Sequence, residues 1–144
     1  MTSAVFLVRH AEAQSGGVDA DRRLSASGKE AFSGLLQILG PRLTVRRILA
    51  SPFRRARETA DLLARATGAP AGPSDDLASG HAGGREILEL ARREGAGTAL
   101  VGHNPEIAEA VAIASGKRSP VPPGTVAAFD LSGPAPRLLW LRSP

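Results

Sequence analysis

Three times in this chain a short apolar run ends at an arginine or histidine and passes directly into a helical pattern. The first run is Ala4-Val5-Phe6-Leu7-Val8, followed by Arg9-His10. It shows no polar alternation, which suits a strand buried on both faces in the middle of a parallel sheet. The second is Ile48-Leu49-Ala50, followed by Ser51-Pro52-Phe53-Arg54-Arg55. The third runs from Thr98 to Val101 and is followed by Gly102-His103-Asn104-Pro105-Glu106. Strands alternating with helices predict an α/β fold: a three-layer sandwich with a mostly parallel central sheet flanked by helices. In such sheets ligands bind outside the carboxyl ends of the strands, where all three junctions would lie. The plainer reading of any one junction is a polar residue that starts a loop. Three of them on neighbouring strands would bring two histidines and two arginines to one pocket.

The local signals around each junction agree with this plan. Ser51 suits an N-cap and Pro52 the first helical position, where a missing N–H costs nothing. Ala56, Ala60, Leu63 and Ala64 recur at helical spacing, predicting a helix from Pro52 to Thr67. Arg55 then falls in its first turn, where a helix terminus and a guanidinium fork both favour a phosphate. Arg54 and Arg57 fit an ordinary solvated basic face equally well. Gly102 permits a tight turn, Asn104 reads as an N-cap, Pro105 as the first helical residue and Glu106 as a first-turn acid. Ile107, Ala108, Val111, Ala112 and Ala114 then form an apolar helix face.

Elsewhere a polar loop runs from Ala11 to Leu24, and a helix starts near Ser25 or Ser27 and ends by Gly40-Pro41, with Ala31, Phe32, Leu35, Leu36 and Leu39 as its apolar set. Thr67 to Ala82 reads as a loop with at most a short edge strand. A further helix, Gly84 to Glu94, turns Ile87, Leu88 and Ala91 inward. After a proline-rich connection from Lys117 to Pro123, Thr125–Leu131 and Arg137–Leu141 flank Ser132 to Pro136 as an antiparallel C-terminal hairpin. No internal repeat or linker divides the chain, so residues 1–144 are expected to form one domain.

Val8-Arg9-His10-Ala11-Glu12-Ala13, Ser51-Pro52-x-x-Arg55-Ala56-x-x-Thr59-Ala60 and Val101-Gly102-His103-Asn104-Pro105, in that order, resemble the histidine phosphatase superfamily, which is phosphoglycerate-mutase-like. The likeness is nearest to its small SixA-type branch of phosphohistidine phosphatases. It extends over nearly the whole chain, including Arg23-Leu24-Ser25-x-x-Gly28 and Gly124-Thr125-Val126. The resemblance implies that His10 is the nucleophile that takes up the phosphoryl group. It implies that Arg9 and Arg55 clamp the phosphoryl oxygens and that His103 completes the pocket as a hydrogen-bond donor. A nucleophilic imidazole must be unprotonated, and two neighbouring guanidiniums should push His10 below its usual pKa of about 6.5. Phosphoryl transfer asks mainly for positioning and for stabilisation of charge on the equatorial oxygens, which these groups supply without a metal or other cofactor.

One departure from the larger family members bears on substrate. They carry a glutamate between the second and third motifs that protonates an alcohol leaving group, and no glutamate stands at a matching motif here. Asp76 is the best substitute, with Asp75 and Glu86 behind it, and each also reads as a turn residue or a solvated helix end. His81, among glycines and alanines, reads as surface loop. Phosphohistidine needs no such acid, because its imidazole can leave already protonated. Little spare length lies between Gly68 and Gly97 for a segment enclosing a small molecule, and the Gln14 to Arg23 loop is a candidate for a partial lid.

Three functions therefore compete. The first removes phosphate from phosphohistidine of a phosphotransfer protein, with inorganic phosphate as product. The second hydrolyses small phosphate esters and needs an acid among Asp75, Asp76 and Glu86. The third is a non-catalytic phosphate-recognition module, for which a nucleophile has no use.

Composition closes off other classes. With no cysteine, thiolate phosphatase chemistry, disulfides and thiolate zinc sites are excluded. His10-x-Glu12 lacks the later Pro-Cys-x-x-Cys of a zinc deaminase, and no glycine loop ending in Gly-Lys-Ser/Thr is present. A net charge of +4 suggests nucleic acid, but the arginines are scattered and aromatics make up only 3%, so stacking platforms are nearly absent. A basic surface would instead steer an acidic phosphoprotein toward the site. No segment approaches the roughly 20 apolar residues of a membrane span. No cationic leader precedes the first apolar run, so a cytoplasmic protein is expected.

Overall fold

The computed structural model of the chain describes residues 4–144; the expectation about a leader rests partly on Met1 to Ser3, which lie outside them. The elements follow one another as β1 (Ala4–Arg9), α1 (Ala26–Leu39), β2 (Arg47–Ala50), α2 (Arg54–Thr67), β3 (Ala71–Pro73), α3 (Gly84–Glu94), β4 (Thr98–Gly102), α4 (Glu106–Ser115), β5 (Val126–Asp130) and β6 (Arg137–Arg142). Six strands form one sheet in the order β3-β2-β4-β1-β5-β6. The β3-β2-β4-β1 portion is parallel, and β5 and β6 add antiparallel neighbours. The predicted three-layer sandwich with its C-terminal hairpin is the fold observed.

The unalternated first run has a direct physical origin. Ala4, Phe6 and Val8 point into the core shared with α1 and α2, among them Phe32, Leu36, Ala56 and Leu63. Val5 and Leu7 point into the opposite core, with Ile87, Leu88, Ile107 and Val111 of α3 and α4. Both faces are covered, so every residue from Ala4 to Val8 is buried and apolar. Ala99 and Val101 of β4 likewise face one core and Leu100 the other.

Several boundaries differ from the sequence-based expectation for identifiable reasons. β1 continues through Arg9, which is registered against Gly102 and whose N–H donates to Thr125 O at 3.0 Å. α2 starts at Arg54 rather than Pro52. Ser51 directly follows β2 and donates its N–H to Val101 O, so it does not cap the helix from the expected place. α4 starts at Glu106 rather than Pro105; the Asn104 amide reaches one turn further, accepting from Ala108 N while its nitrogen donates to Val121 O. Ala31 faces outward, because the buried line of α1 runs through Gly28, Phe32, Leu35, Leu36 and Leu39. Ser25, not Ser27, caps α1, accepting from Gly28 N. The short edge strand β3 lies inside the expected loop, parallel to β2.

Gly28 sits where α1 meets the loop after β1, and a Cβ there would run into the Glu12 carbonyl oxygen. An alanine would gain about 1 kcal/mol in helix propensity. Forcing α1 off the Glu12 turn should cost more, typically 1–3 kcal/mol. Gly28→Ala is therefore expected to lower the denaturant midpoint of unfolding. An unchanged or raised midpoint would mean that the turn moves at little cost.

Candidate active site

The order β2-β4-β1 makes the three junction strands immediate neighbours, and their carboxyl ends share one edge. His10 N donates to Gly102 O at 3.0 Å, and Ser51 N to Val101 O at 3.0 Å, so each junction is tied to the next by the backbone. The structure brings Arg9, His10, Arg55 and His103 together at this edge. The His10 and His103 rings lie 5.3 Å apart by centroid, and Arg55 Nε donates to His10 Nε2 at 3.3 Å. His10, Arg55 and His103 are buried and Arg9 half-buried.

His10 is held in one orientation and one tautomer. Its Nδ1 lies 2.7 Å from Ala11 O; a carbonyl only accepts, so Nδ1 carries the proton and donates. Nε2 is left as the lone pair, facing the Arg55 N–H. The Ala11 backbone is fixed in turn, since Ala11 N donates to Thr59 Oγ1 at 2.9 Å and Thr59 Oγ1 donates to Arg55 O at 2.8 Å. Burial pushes the His10 pKa from 6.5 down to about 4, against a smaller upward effect of the Ala11 bond and with help from Arg55, Arg9 and Arg22. The expected direction holds, but desolvation outweighs the guanidiniums as its cause. Burial likewise lowers His103 to about 3, followed by the influence of His10 and Arg55. Both rings are neutral at pH 7.

Arg55 distributes its donors. Besides Nε to His10, Nη1 donates to Asp19 O at 2.7 Å and Nη2 lies 3.4 Å from Asp19 Oδ2, while its guanidinium stacks over Phe53 at 5.0 Å. Arg9 Nη1 donates to Val121 O at 2.9 Å, the carbonyl that also accepts from Asn104. Burial of Arg9 and the charge of Arg55 lower the Arg9 pKa. Burial alone would raise the Asp19 carboxyl, but Arg55 and Arg22 beside it hold it below its usual range. Two guanidiniums with Arg22 nearby, balanced by one exposed carboxylate, leave the pocket positive. Two buried nitrogens have no partner among the described residues: Arg9 Nε and His103 Nδ1. An unprotonated imidazole nitrogen beside guanidiniums, with the Arg9 Nε–H unspent, is equipped to attack an electrophile that carries anionic oxygens.

The remaining sequence candidates lie apart from this cluster. Asp76 is exposed, and its carboxylate is 3.7 Å from His81 Nε2. It lines a cavity of about 350 Å³ with Glu86 and Arg93, and none of the four clustered residues borders that cavity. Asp75 is exposed, and Glu86 accepts from Gly83 N at the start of α3. Arg54 pairs with Glu58 and Asp21 on the surface, and Arg57 is exposed. Among the described residues no group of three or more acidic or histidine side chains is arranged to hold a metal, and no helix is long and apolar enough to cross a membrane. Sequence reasoning passed over Asp19, Arg22 and Val121. Ser51 and Thr59 stood in the second motif, which was their signal, but were given no role at the site.

Residues 5–112 match the histidine phosphatase superfamily (branch 1). No curated protein matches the chain in sequence. Among solved structures, a protein of Agrobacterium tumefaciens assigned as phosphohistidine phosphatase SixA superposes with a TM-score of 0.84 at 26% identity, covering 100% of this chain and 99% of its own. A protein histidine phosphatase SixA complexed with tungstate superposes with a TM-score of 0.81 at 25% identity, covering 98% and 97%. A SixA-assigned protein of Nakamurella multipartitia follows at 0.75 and 26%, covering 99% and 98%. With residues 5–112 matched by the family and the whole chain superposing on these folds, the chain belongs to the histidine phosphatase superfamily as a phosphatase that works through a histidine nucleophile.

Proposed function

We propose that this phosphatase acts on phosphohistidine of a phosphotransfer protein, with His10 as the nucleophile. The observation that carries the assignment is the fixed tautomer of His10. Its Nδ1–H is spent on Ala11 O, and its bare Nε2 faces Arg55 Nε. Nε2 attacks phosphorus, the phosphorus–nitrogen bond of the substrate breaks, and the electron pair leaves with the substrate imidazole, which can depart protonated on its other nitrogen. Arg9, Arg55 and the Nδ1 side of His103 bind the phosphoryl oxygens, whose charge they stabilise in flight. Water then attacks phosphorus, the His10–phosphorus bond breaks, and inorganic phosphate is released.

The substrate class rests on the leaving group. Among the described residues no carboxylate is hydrogen-bonded to either ring of the pair, whose polar partners are Ala11, Arg55 and Ser51. Asp76 is turned toward His81 instead. An alkoxide leaves poorly without an acid, whereas an imidazole does not need one. The likeness to SixA-type proteins at about one quarter identity favours the same substrate, and the tungstate bound by one of them is an oxyanion of the kind this pocket would take.

The deciding experiment compares turnover of phosphoramidate, alkyl phosphates and p-nitrophenyl phosphate, with acid-free quenching to trap the labelled enzyme. Label is expected on His10, and phosphoramidate should be favoured over alkyl phosphates by several orders of magnitude, since a general acid contributes about 10²- to 10⁴-fold. A flat dependence on leaving group would favour small phosphate esters as substrates, and label on another residue would overturn the nucleophile.

Arg55→Ala is expected to reduce kcat/KM far more than Arg54→Ala. A guanidinium at developing phosphoryl charge contributes on the order of 3 kcal/mol, about a hundredfold, while Arg54 is committed to surface ion pairs worth little. Equal small losses at both positions would remove Arg55 from the phosphoryl site.

The lowered histidine pKa values set the pH response. The nucleophile must be unprotonated, so kcat/KM should persist as pH falls through 6.5 and be lost only near pH 4. Unfolded histidines take up protons near 6.5, while the folded rings resist until about 4 and 3. The unfolded state therefore binds more protons in that interval, and stability should decline as pH falls from 6.5 toward 4. Rates and denaturant midpoints measured across this range separate the two effects. An acid limb at 6.5 with the fold intact would mean that His10 is not shielded from protonation.

A further inference from the structure

We propose that Ser51 is a positioning residue for this reaction: its hydroxyl donates to Nε2 of His103 and so holds that ring as the tautomer with its proton on Nδ1. The inference rests on the reading that a phosphoryl group occupies the pocket, and it names the group that sets how His103 meets it.

Nε2 of His103 lies 2.7 Å from Ser51 Oγ, while Nδ1 is buried with no partner among the described residues. The ring nitrogen left to meet a ligand is therefore Nδ1. Buried His103 is neutral over the working range, its pKa lying near 3, so it carries one ring proton and the choice of nitrogen matters. With the proton on Nδ1 the ring offers a phosphoryl oxygen a donor. With the proton on Nε2 it offers a lone pair, which repels the same oxygen.

The serine decides between them. Ser51 is fully buried, and its Oγ already accepts from Phe53 N at 3.2 Å. A hydroxyl has one proton and two lone pairs. Were Nε2 the donor, Oγ would accept twice and its own proton would have no acceptor among the described residues. When Oγ donates to Nε2, the hydroxyl is satisfied as both donor and acceptor. Buried hydroxyls left unpaired are costly, so the second arrangement prevails. The geometry is also held from both sides. Ser51 N is tied to Val101 O, two residues before His103, and the Phe53 ring meets the His103 ring edge-on at 5.0 Å. Ser51 thus acts on the second histidine as Ala11 O acts on the first.

The test reads the tautomer directly. Nitrogen-15 NMR of histidine-labelled protein at neutral pH, with the three rings assigned by single substitutions, should show His103 protonated at Nδ1 and bare at Nε2. In Ser51→Ala the proton should redistribute toward Nε2, and kcat for phosphoramidate should fall about tenfold to a hundredfold with KM changing less, as expected for one oxyanion donor. Wild-type His103 protonated at Nε2 would overturn the assignment, and that spectrum stands alone should the variant fail to fold. A folded Ser51→Ala protein with unchanged tautomer and unchanged kcat would overturn it as well. A wild-type protein that turns over no phosphoryl compound would instead overturn the parent reading of the site, and the spectrum would distinguish that failure from this one.

Discussion

The parallel register of β1 against β4 is the constraint on which the site depends. The two strands pair from Phe6 with Ala99 to Arg9 with Gly102, and His10 N extends the pairing one step by donating to Gly102 O. A slip of one residue would turn Val5 and Leu7 into the core that holds Phe6 and Val8, and would exchange every neighbour of the strand. Because β1 is covered on both faces, such a slip would disturb two cores at once. The histidine at its end inherits that rigidity. Ser51 N joins the same edge from β2 by donating to Val101 O, so three junctions are aligned by backbone hydrogen bonds before any side chain acts.

On that edge, each polar side chain is oriented by a partner. His10 gives its Nδ1 proton to Ala11 O and keeps Nε2 bare. Arg55 gives two of its nitrogens to Asp19 and turns the third to His10. Arg9 is steadied by Val121 O, which also fixes Asn104 beside His103. The proline-rich connection after α4 therefore takes part in the site through a backbone carbonyl. Thr59 couples the arginine helix to the histidine strand by linking Arg55 O with Ala11 N. His10 and Arg55 are thus positioned relative to one another through one buried hydroxyl, and supports of this kind are what hold a site rigid.

Acidic residues of α3 and of α4 serve the backbone of the turn before α3. Glu106 Oε2 accepts from Gly80 N, Glu86 Oε1 from Gly83 N and Glu109 Oε1 from Gly84 N. Three carboxylates hold the backbone of the glycine-rich turn that leads into α3, and Asp76 pairs with His81 at its exposed side. These groups stabilise a turn with few side chains of its own. The carboxylate that does reach the site, Asp19, comes from the earlier loop and is bound to Arg55 and Arg22.

The three-layer fold, the hairpin and the four convergent residues Arg9, His10, Arg55 and His103 were legible in the chain because they rest on local properties. Hydrophobic runs without alternation report strands covered on both faces, and a residue directly after such a run must lie at the strand's end. The exact helix starts were misplaced because Ser51 and Asn104, good caps by residue type, are drawn into bonds with Phe53, His103 and Val121 that span up to 52 residues of sequence. Asp19 gave no local sign of its role, since an aspartate in a polar loop becomes a partner of Arg55 only when the loop folds back over α2. The protonation of the histidines lay equally beyond reach of the sequence. Residue order alone determined which side chains stand at the sheet edge. Burial and long-range hydrogen bonds, which exist only in the folded chain, decided that both rings are neutral and which nitrogen of His10 is bare.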